Sequence, residues 1–431
     1  MKNRTINIIT LGCSKNVVDS EKLLKQINSA GYDIKSDSEE PSASIAIINT
    51  CGFINDAKEE SIDTILRFVR AKNTGRIEKL FVTGCLSQRY MSALQSEIPE
   101  VSKYFGVNSI KEILEEVGIR FRNELSDERI RIGPQHYAYI KVSEGCDRTC
   151  AFCAIPLIRG KCISRPVEEI IAEAEILAGK GVKELILVAQ DMSYYGLDLY
   201  RRQKLPDLVS ELLKIESLEW IRLHYLFPFS FPVQLISLIK SNSRICRYID
   251  IPIQHINDRM LGLMKRSHDR QETENILRGI REELPDAVIR TTLIAGHPGE
   301  TEKEYNELKE FVSTFRFDRL GVFAYSHEEG TFSYFNYRDD VPGHEKGRRV
   351  AEIMEMQQLI SAELNKKLIN KILKVVIDRR EGDFFEGRTE YDSPEVDQNV
   401  LIPSEYNLTP GNFYDILITG STEFDLFGIP A

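Results

Sequence analysis

The residues best suited to chemistry in this chain are its eight cysteines: Cys13, Cys51, Cys85, Cys146, Cys150, Cys153, Cys162 and Cys246. In a large cytosolic protein thiols stay reduced, so metal binding or catalysis is expected before a disulfide framework. Cys146, Cys150 and Cys153 form a CxxxCxxC run that follows the strand-like segment YAYIKVS. Three thiolates suit a cubane of four irons, because one iron is left without a protein ligand. That open corner can be chelated by the amino and carboxylate groups of S-adenosylmethionine. One electron from the cluster then breaks the sulfonium C–S bond, and the 5′-deoxyadenosyl radical released can take hydrogen from an unactivated carbon. The protein's share of such chemistry is to position the cofactor and exclude water. The competing reading is structural zinc, with Cys162 as a fourth ligand, but zinc sites usually show paired CxxC or Cys/His spacings. Cys162, expected to be partly exposed, and Cys246, expected to be packed beside a strand, read as ordinary side chains.

The second trio is spread more widely. Cys13, Cys51 and Cys85 each follow directly on a strand-like run, in ITLGC, IINTC and VTGC. Each alone is as well explained as a small buried apolar residue. Three in the same topological position point to convergence, because ligands of open α/β sheets bind beyond the carboxyl ends of the strands.

The surrounding elements have to deliver those positions. Strands are expected at 6–12, 44–50 and 79–84, with helices near 19–30, 56–72 and 109–117. This βαβα rhythm implies an open parallel sheet. A second α/β unit begins near His136, with strands at 137–143, 184–190, 220–226, 247–253, 287–295 and 319–325. Helices are expected between them, among them 167–179, 206–215 and 302–314. Six βα units in so short a span imply a partial (β/α)6 barrel. A charged helix over 344–370 leads to a tail of short β-like runs that reads as a small OB-like barrel. The domains are therefore placed at 1–125, 133–365 and 366–431.

Charge narrows the partners. The chain carries 56 Lys+Arg against 66 Asp+Glu, and residues 371–431 alone hold 5 bases against 12 acids. A net acidic protein is a poor default binder of nucleic acid. No apolar run reaches the length needed to span a bilayer, and the N-terminus reads as a first strand rather than a signal peptide. A cytoplasmic protein is expected.

The segments LGCSKN, NTCGFI, TGC, EGCDRTCAFCAIP, RGK and SRP, in this order and followed by a β tail, together resemble the radical S-adenosylmethionine methylthiotransferases. The likeness spans nearly the whole chain, and the tail corresponds to what that family calls a TRAM domain. The resemblance implies that Cys13, Cys51 and Cys85 hold an auxiliary 4Fe-4S cluster and that Cys146, Cys150 and Cys153 hold the radical one. It also implies S-adenosylmethionine as the source of both methyl group and radical, and an outside electron donor. GCSKNxVDSE and GCDRxCxFCAIP are most similar to the branch that acts on the β-carbon of an aspartate in ribosomal protein S-twelve. Two places depart from the pattern: AQDMSYYG stands where a Gly-Gly-Glu element is usual, and His297 where phenylalanine is usual. Contacts to S-adenosylmethionine are accordingly assigned to Phe152, Gln190, Asp191 and Gly296, each of which is equally well explained as a core, turn or cap residue. His255 is expected to make a structural hydrogen bond.

An acidic tail suits a basic ribosomal protein better than the phosphates of tRNA. The alternatives are methylthiolation of a tRNA adenosine and, in another class, a non-catalytic iron–sulfur scaffold or electron carrier. The last would not cleave S-adenosylmethionine.

Overall fold

Short apolar runs that are buried on both faces form the first sheet. The computed structural model describes residues 5–38, 40–41 and 43–431. Strand β1 (Thr5–Thr10) leads to helix α1 (Ser14–Ser29) and edge strand β2 (Asp33–Ser36). Then come β3 (Ile45–Thr50), α2 (Asn55–Asn73), β4 (Lys79–Gly84), α3 (Cys85–Glu97), β5 (Lys103–Tyr104) and α4 (Ile110–Val117). The strands pair in the order β2-β1-β3-β4-β5, all parallel. Every residue of β3 is buried, as a central parallel strand with helices on both faces requires. Ile48, Phe68 and Val82 belong to the core on one face, and Ile8, Ile47 and Phe81 to the core on the other. Each side chain fully buried in this way contributes about 1.5–3 kcal/mol.

The sequence reading differs here in several details. Helix α1 starts at Ser14 rather than near Asp19, with Cys13 as its N-cap residue. Elements β2, α3 and β5 carry no clear signal in the sequence. Strand β2 is a half-exposed edge, β5 has two residues, and α3 buries only Cys85, Leu86, Ser87 and Leu94, which form no helical stripe.

The chain continues with β6 (Tyr137–Lys141) and β7 (Ser143–Glu144), then α5 (Ile155–Arg159), β8 (Ile163–Ser164) and α6 (Val167–Gly179). Strands β7 and β8 pair antiparallel, Ser143 with Ser164 and Glu144 with Ile163, and so close the base of the cysteine loop. Cys162 is only 6% exposed. This corrects the expectation of partial exposure: the Cys162 N–H is bound to the Asp147 side chain at 3.0 Å, which folds it inward.

Next are β9 (Glu184–Val188), α7 (Leu197–Tyr200), α8 (Leu205–Leu212), β10 (Trp220–Leu223) and α9 (Gln234–Ser241). They are followed by β11 (Tyr248–Asp250), α10 (Asp258–Leu263), α11 (Arg270–Glu283), β12 (Val288–Ala295), α12 (Glu302–Phe315) and β13 (Arg319–Ala324). All six strands expected of this region are present. Strand β9 pairs with β10, a parallel bridge joins Ile221 to Ile245, and β11-β12-β13 form a parallel sheet. Helices α13 (Phe332–Asn336) and α14 (Gly343–Lys366) complete this part.

The tail is a closed barrel of β14 (Ile372–Glu381), β15 (Phe384–Thr389), β16 (Val400–Pro403), β17 (Phe413–Ser421) and β18 (Leu426–Pro430), in the order β14-β15-β16-β18-β17. Closure removes the sheet edges. Val375, Ile377, Phe385, Ile402, Ile416 and Ile418 are among the residues filling its core. Two buried arginines tie the barrel to β9 and β10. Arg388 reaches Glu184 at 2.9 Å and Asp378 at 2.6 Å, while Arg222 meets Glu184 at 2.8 Å.

By internal contacts the chain separates into two compact units. The first comprises 1–133, 139–148 and 154–176, and the second 134–138, 149–153 and 177–431. Among the described residues no helix is long and apolar enough to cross a membrane.

Candidate functional site

All eight cysteines are free thiols. In the first unit, β1, β3 and β4 are neighbours, and Cys13, Cys51 and Cys85 lie just past their carboxyl ends. Backbone conformation makes the close approach of these loops possible. Gly12 has φ +87°, and a Cβ there would fall 2.8 Å from Cys51 Sγ. Gly84 has φ +95°, and a Cβ there would strike Thr50 O at 2.5 Å. Any other residue would be strained in dihedral and in space at both positions.

Side-chain amides lock the same loops. Asn16 donates to Leu11 O at 2.8 Å and Thr50 O at 3.1 Å, and Asn49 donates to Asn16 O and Ser20 Oγ, both at 3.1 Å. Ser61 Oγ bonds both the N–H and the carbonyl of Cys51. Arg159, at the end of α5, is the charge in the middle. It donates to Cys85 Sγ at 3.4 Å, Asn16 Oδ1 at 2.8 Å and Glu144 Oε1 at 2.6 Å. Glu144 also takes Lys141 at 2.6 Å. Burial raises the Glu144 carboxyl pKa, but Lys141 and Arg159 outweigh it and hold the group down at about 2.

The three thiols differ in charge environment. Burial raises the Cys13 pKa, but Lys15, Arg159 and the N–H groups of Asn16 and Lys15 overcome this, so it ends lowered. Burial dominates at Cys51, which is raised, and at Cys85, which is pushed up to about 11 against the pull of Arg159. Cys13 is electrostatically coupled to both other thiols. Among the described residues, no three His, Cys, Asp or Glu side chains stand close enough to hold a single metal ion. A cage of four irons takes each thiolate at a different iron, so three reduced thiols, two of them buried, with a guanidinium on one sulfur fit it.

The second trio lies on the loop after β6 and β7. Cys146 Sγ accepts from Arg148 N–H at 3.4 Å, and Cys146 N–H donates to Gly160 O at 3.0 Å. In the second unit, the Ala151 N–H donates to Met264 O and the Ala151 carbonyl accepts from Ser333 N–H, both at 2.8 Å. Arg266 donates to Cys150 Sγ at 3.4 Å and to Pro252 O at 2.6 Å, with its guanidinium 3.9 Å over the Phe227 ring. Each cysteine trio therefore has an arginine on one sulfur. Sequence reasoning did not single out either one. Arg159 stood only inside the quoted RGK, and Arg266 carried no signal, because its proximity to Cys150 comes from the turn after α10.

The residues expected to touch S-adenosylmethionine stand on three different segments of the chain. Phe152 is half-buried on the cysteine loop. Gln190 and Asp191 follow β9, and the Asp191 carboxylate caps the next turn by accepting from Ser193 N–H at 2.9 Å. Gly296 follows β12 and gives its N–H to Glu300 at 3.0 Å. Glu300 also holds Arg349 at 2.7 Å and lies 3.5 Å from His255 Nε2. His255 Nδ1 accepts from the N–H groups of Ile256 and Asn257, the structural role expected of it. Cys246 is packed, at 2% exposure.

Three family models match the chain: "Uncharacterized protein family UPF0004" over residues 5–106, "Radical SAM superfamily" over 140–312 and "TRAM domain" over 369–430. A ribosomal protein uS12 methylthiotransferase RimO of Bacteroides fragilis is 52% identical over 99% of both chains. The protein of the same name from Phocaeicola vulgatus is 51% identical over 99% of both. Among solved structures, the radical S-adenosylmethionine methyltransferase TsrM of Kitasatospora setae shares the fold, with a TM-score of 0.54, 14% identity and 75% of each chain covered.

Proposed function

Because the chain belongs to the RimO family of radical S-adenosylmethionine methylthiotransferases, we propose that it replaces one hydrogen on the β-carbon of an aspartate in ribosomal protein uS12 by a methylthio group. The observation that carries the reading is the placement of Cys13, Cys51 and Cys85 past the ends of three adjacent parallel strands, in a chain that also has CxxxCxxC. We assign Cys13, Cys51 and Cys85 to an auxiliary 4Fe-4S cluster, and Cys146, Cys150 and Cys153 to the cluster that binds S-adenosylmethionine. When bound, these groups supply an electron, a hydrogen-abstracting radical, sulfur and a methyl group.

The chain's own residues do the rest. Arg159 and Arg266 each place a positive charge against a ligand sulfur. Both guanidiniums are anchored elsewhere, on Glu144 and on Pro252 O, so they hold their positions without the metal. The hydrogen bonds of Ala151 to Met264 and Ser333 fix the middle of the radical loop. The excess of acid over base in residues 371–431 suits a basic protein substrate.

The test is mass analysis of purified uS12 and of bulk tRNA after anaerobic incubation with reconstituted enzyme, S-adenosylmethionine and a chemical reductant. The reading requires uS12 to gain one SCH3 in place of one H, on aspartate. A gain on tRNA alone would overturn it. Failure to release 5′-deoxyadenosine from S-adenosylmethionine would reject catalysis of this class.

A further inference from the structure

We propose that the aromatic and acidic segment Tyr325–Val341 is the docking surface for the basic polypeptide substrate; this rests on the reading of uS12 as substrate. Soluble proteins rarely cluster large aromatic rings on their surface without a partner. Phe335 is 73% exposed, and Phe332 and Tyr334 are exposed beside it on α13, with Phe323 exposed on β13. The rings form two groups: Tyr334 lies 5.5 Å from Phe335 and 5.0 Å from His327, and Phe332 lies 5.8 Å from Tyr337.

Two further observations say what covers the surface. The first is charge. The segment YSHEEGTFSYFNYRDDV contains four carboxylates and one arginine. Glu329 and Asp340 are exposed, whereas Asp339 is paired with Lys346 at 2.7 Å and Glu328 is buried. A flank of this sign attracts a Lys/Arg-rich chain and repels phosphates. Lys265, in the second unit's own turn after α10, shows what the rings accept. Its ammonium sits 3.1 Å from the centroid of Phe332, a cation on an aromatic face. The second is position. Ser333, in the same short helix, donates its N–H to Ala151 O, between Cys150 and Cys153. A polypeptide bound on these rings therefore lies beside the cysteine loop. The occupant that fits is a basic loop carrying the target residue, with Lys or Arg side chains on the rings and carboxylates.

The experiment uses the full reconstituted enzyme and purified uS12. Kd is measured by interferometry, and KM and kcat by mass spectrometry, for wild type, Tyr334→Ala/Phe335→Ala and the control Leu359→Ala. Leu359 is a 65% exposed apolar residue on α14, outside the tail barrel. Because Tyr334 and Phe335 are exposed, the double variant is expected to fold and to keep its iron. Kd and KM should rise roughly tenfold, with little change in kcat or in substrate-free cleavage of S-adenosylmethionine. Leu359→Ala should match wild type. In the wild type, raised salt should weaken binding. If wild type modifies uS12 and the double variant binds it equally well, the docking surface is wrong and the proposed function stands. If wild type neither binds nor modifies uS12, the proposed function falls and takes the docking surface with it.

Discussion

Replacing Arg159 by methionine removes the one guanidinium that, among the described residues, touches a thiol of the first trio. Its Nη2 is 3.4 Å from Cys85 Sγ. Two unit charges at that separation interact by about 4–5 kcal/mol at an effective dielectric of 20. Three features reduce the part felt by an added electron. The positive charge is spread over the guanidinium, it is already shared with Glu144 at 2.6 Å, and a cluster delocalises the electron over several irons. About 1–2 kcal/mol is a reasonable remainder, and with 59 mV per tenfold change for one electron this is roughly 40–80 mV. The sign follows from Coulomb's law: losing a positive charge disfavours the reduced state, so the midpoint becomes more negative. The assay is an EPR-monitored redox titration in a Cys146/Cys150/Cys153→Ala background, where only the auxiliary trio can hold iron. Arg159→Lys, which keeps the charge without the fork, should recover part of the shift. Iron content serves as the check on folding. A midpoint for Arg159→Met within about 10 mV of the parent would refute the reasoning, since even the discounted interaction exceeds that.

Three further outcomes are expected. Burial holds the His297 pKa at about 4, against the raising influence of Pro298 O and Glu300. Unfolded histidine titrates near 6.5, so between these values the unfolded chain binds the extra proton. Stability is thus full above pH 6.5 and falls by up to about 3 kcal/mol as pH drops to 4. His297→Phe should flatten that part of the thermal-midpoint profile, and an unchanged slope would count against the assignment. Arg388→Met strips a buried cation from Glu184 and Asp378. It should cost about 3–5 kcal/mol, seen as a lower unfolding temperature, and equal melting would contradict the anchoring role. Gly12→Ala should keep the circular dichroism of wild type but lose iron from the first trio, because its Cβ would fall 2.8 Å from Cys51 Sγ; undiminished iron would show that the loop relaxes.

How much of this was legible in the sequence follows from how local each signal is. The strands carrying Cys13, Cys51 and Cys85 announce themselves, because central parallel strands are unbroken apolar runs and Gly12 and Gly84 punctuate their ends. The closed tail barrel was readable for a similar reason, as short apolar runs cut by Gly, Pro and Asp. Helix α3 was not, because only its first turn and Leu94 are buried, which leaves no repeat to see. Arg159 and Arg266 were silent because their meaning lies in contacts 74 and 116 residues away along the chain. The burial of Cys162 is not legible for the same reason: the Asp147 side chain that bonds its N–H lies across the loop.

The proposed activity depends most directly on two separate sulfur trios each gathering a four-iron cage. Iron and labile sulfide should be counted after anaerobic reconstitution of wild type, of Cys13/Cys51/Cys85→Ala and of Cys146/Cys150/Cys153→Ala. The expected result is about eight irons per wild-type chain and about four in each triple variant. A wild-type chain with a single cage, whose iron the first triple change leaves untouched, would contradict it.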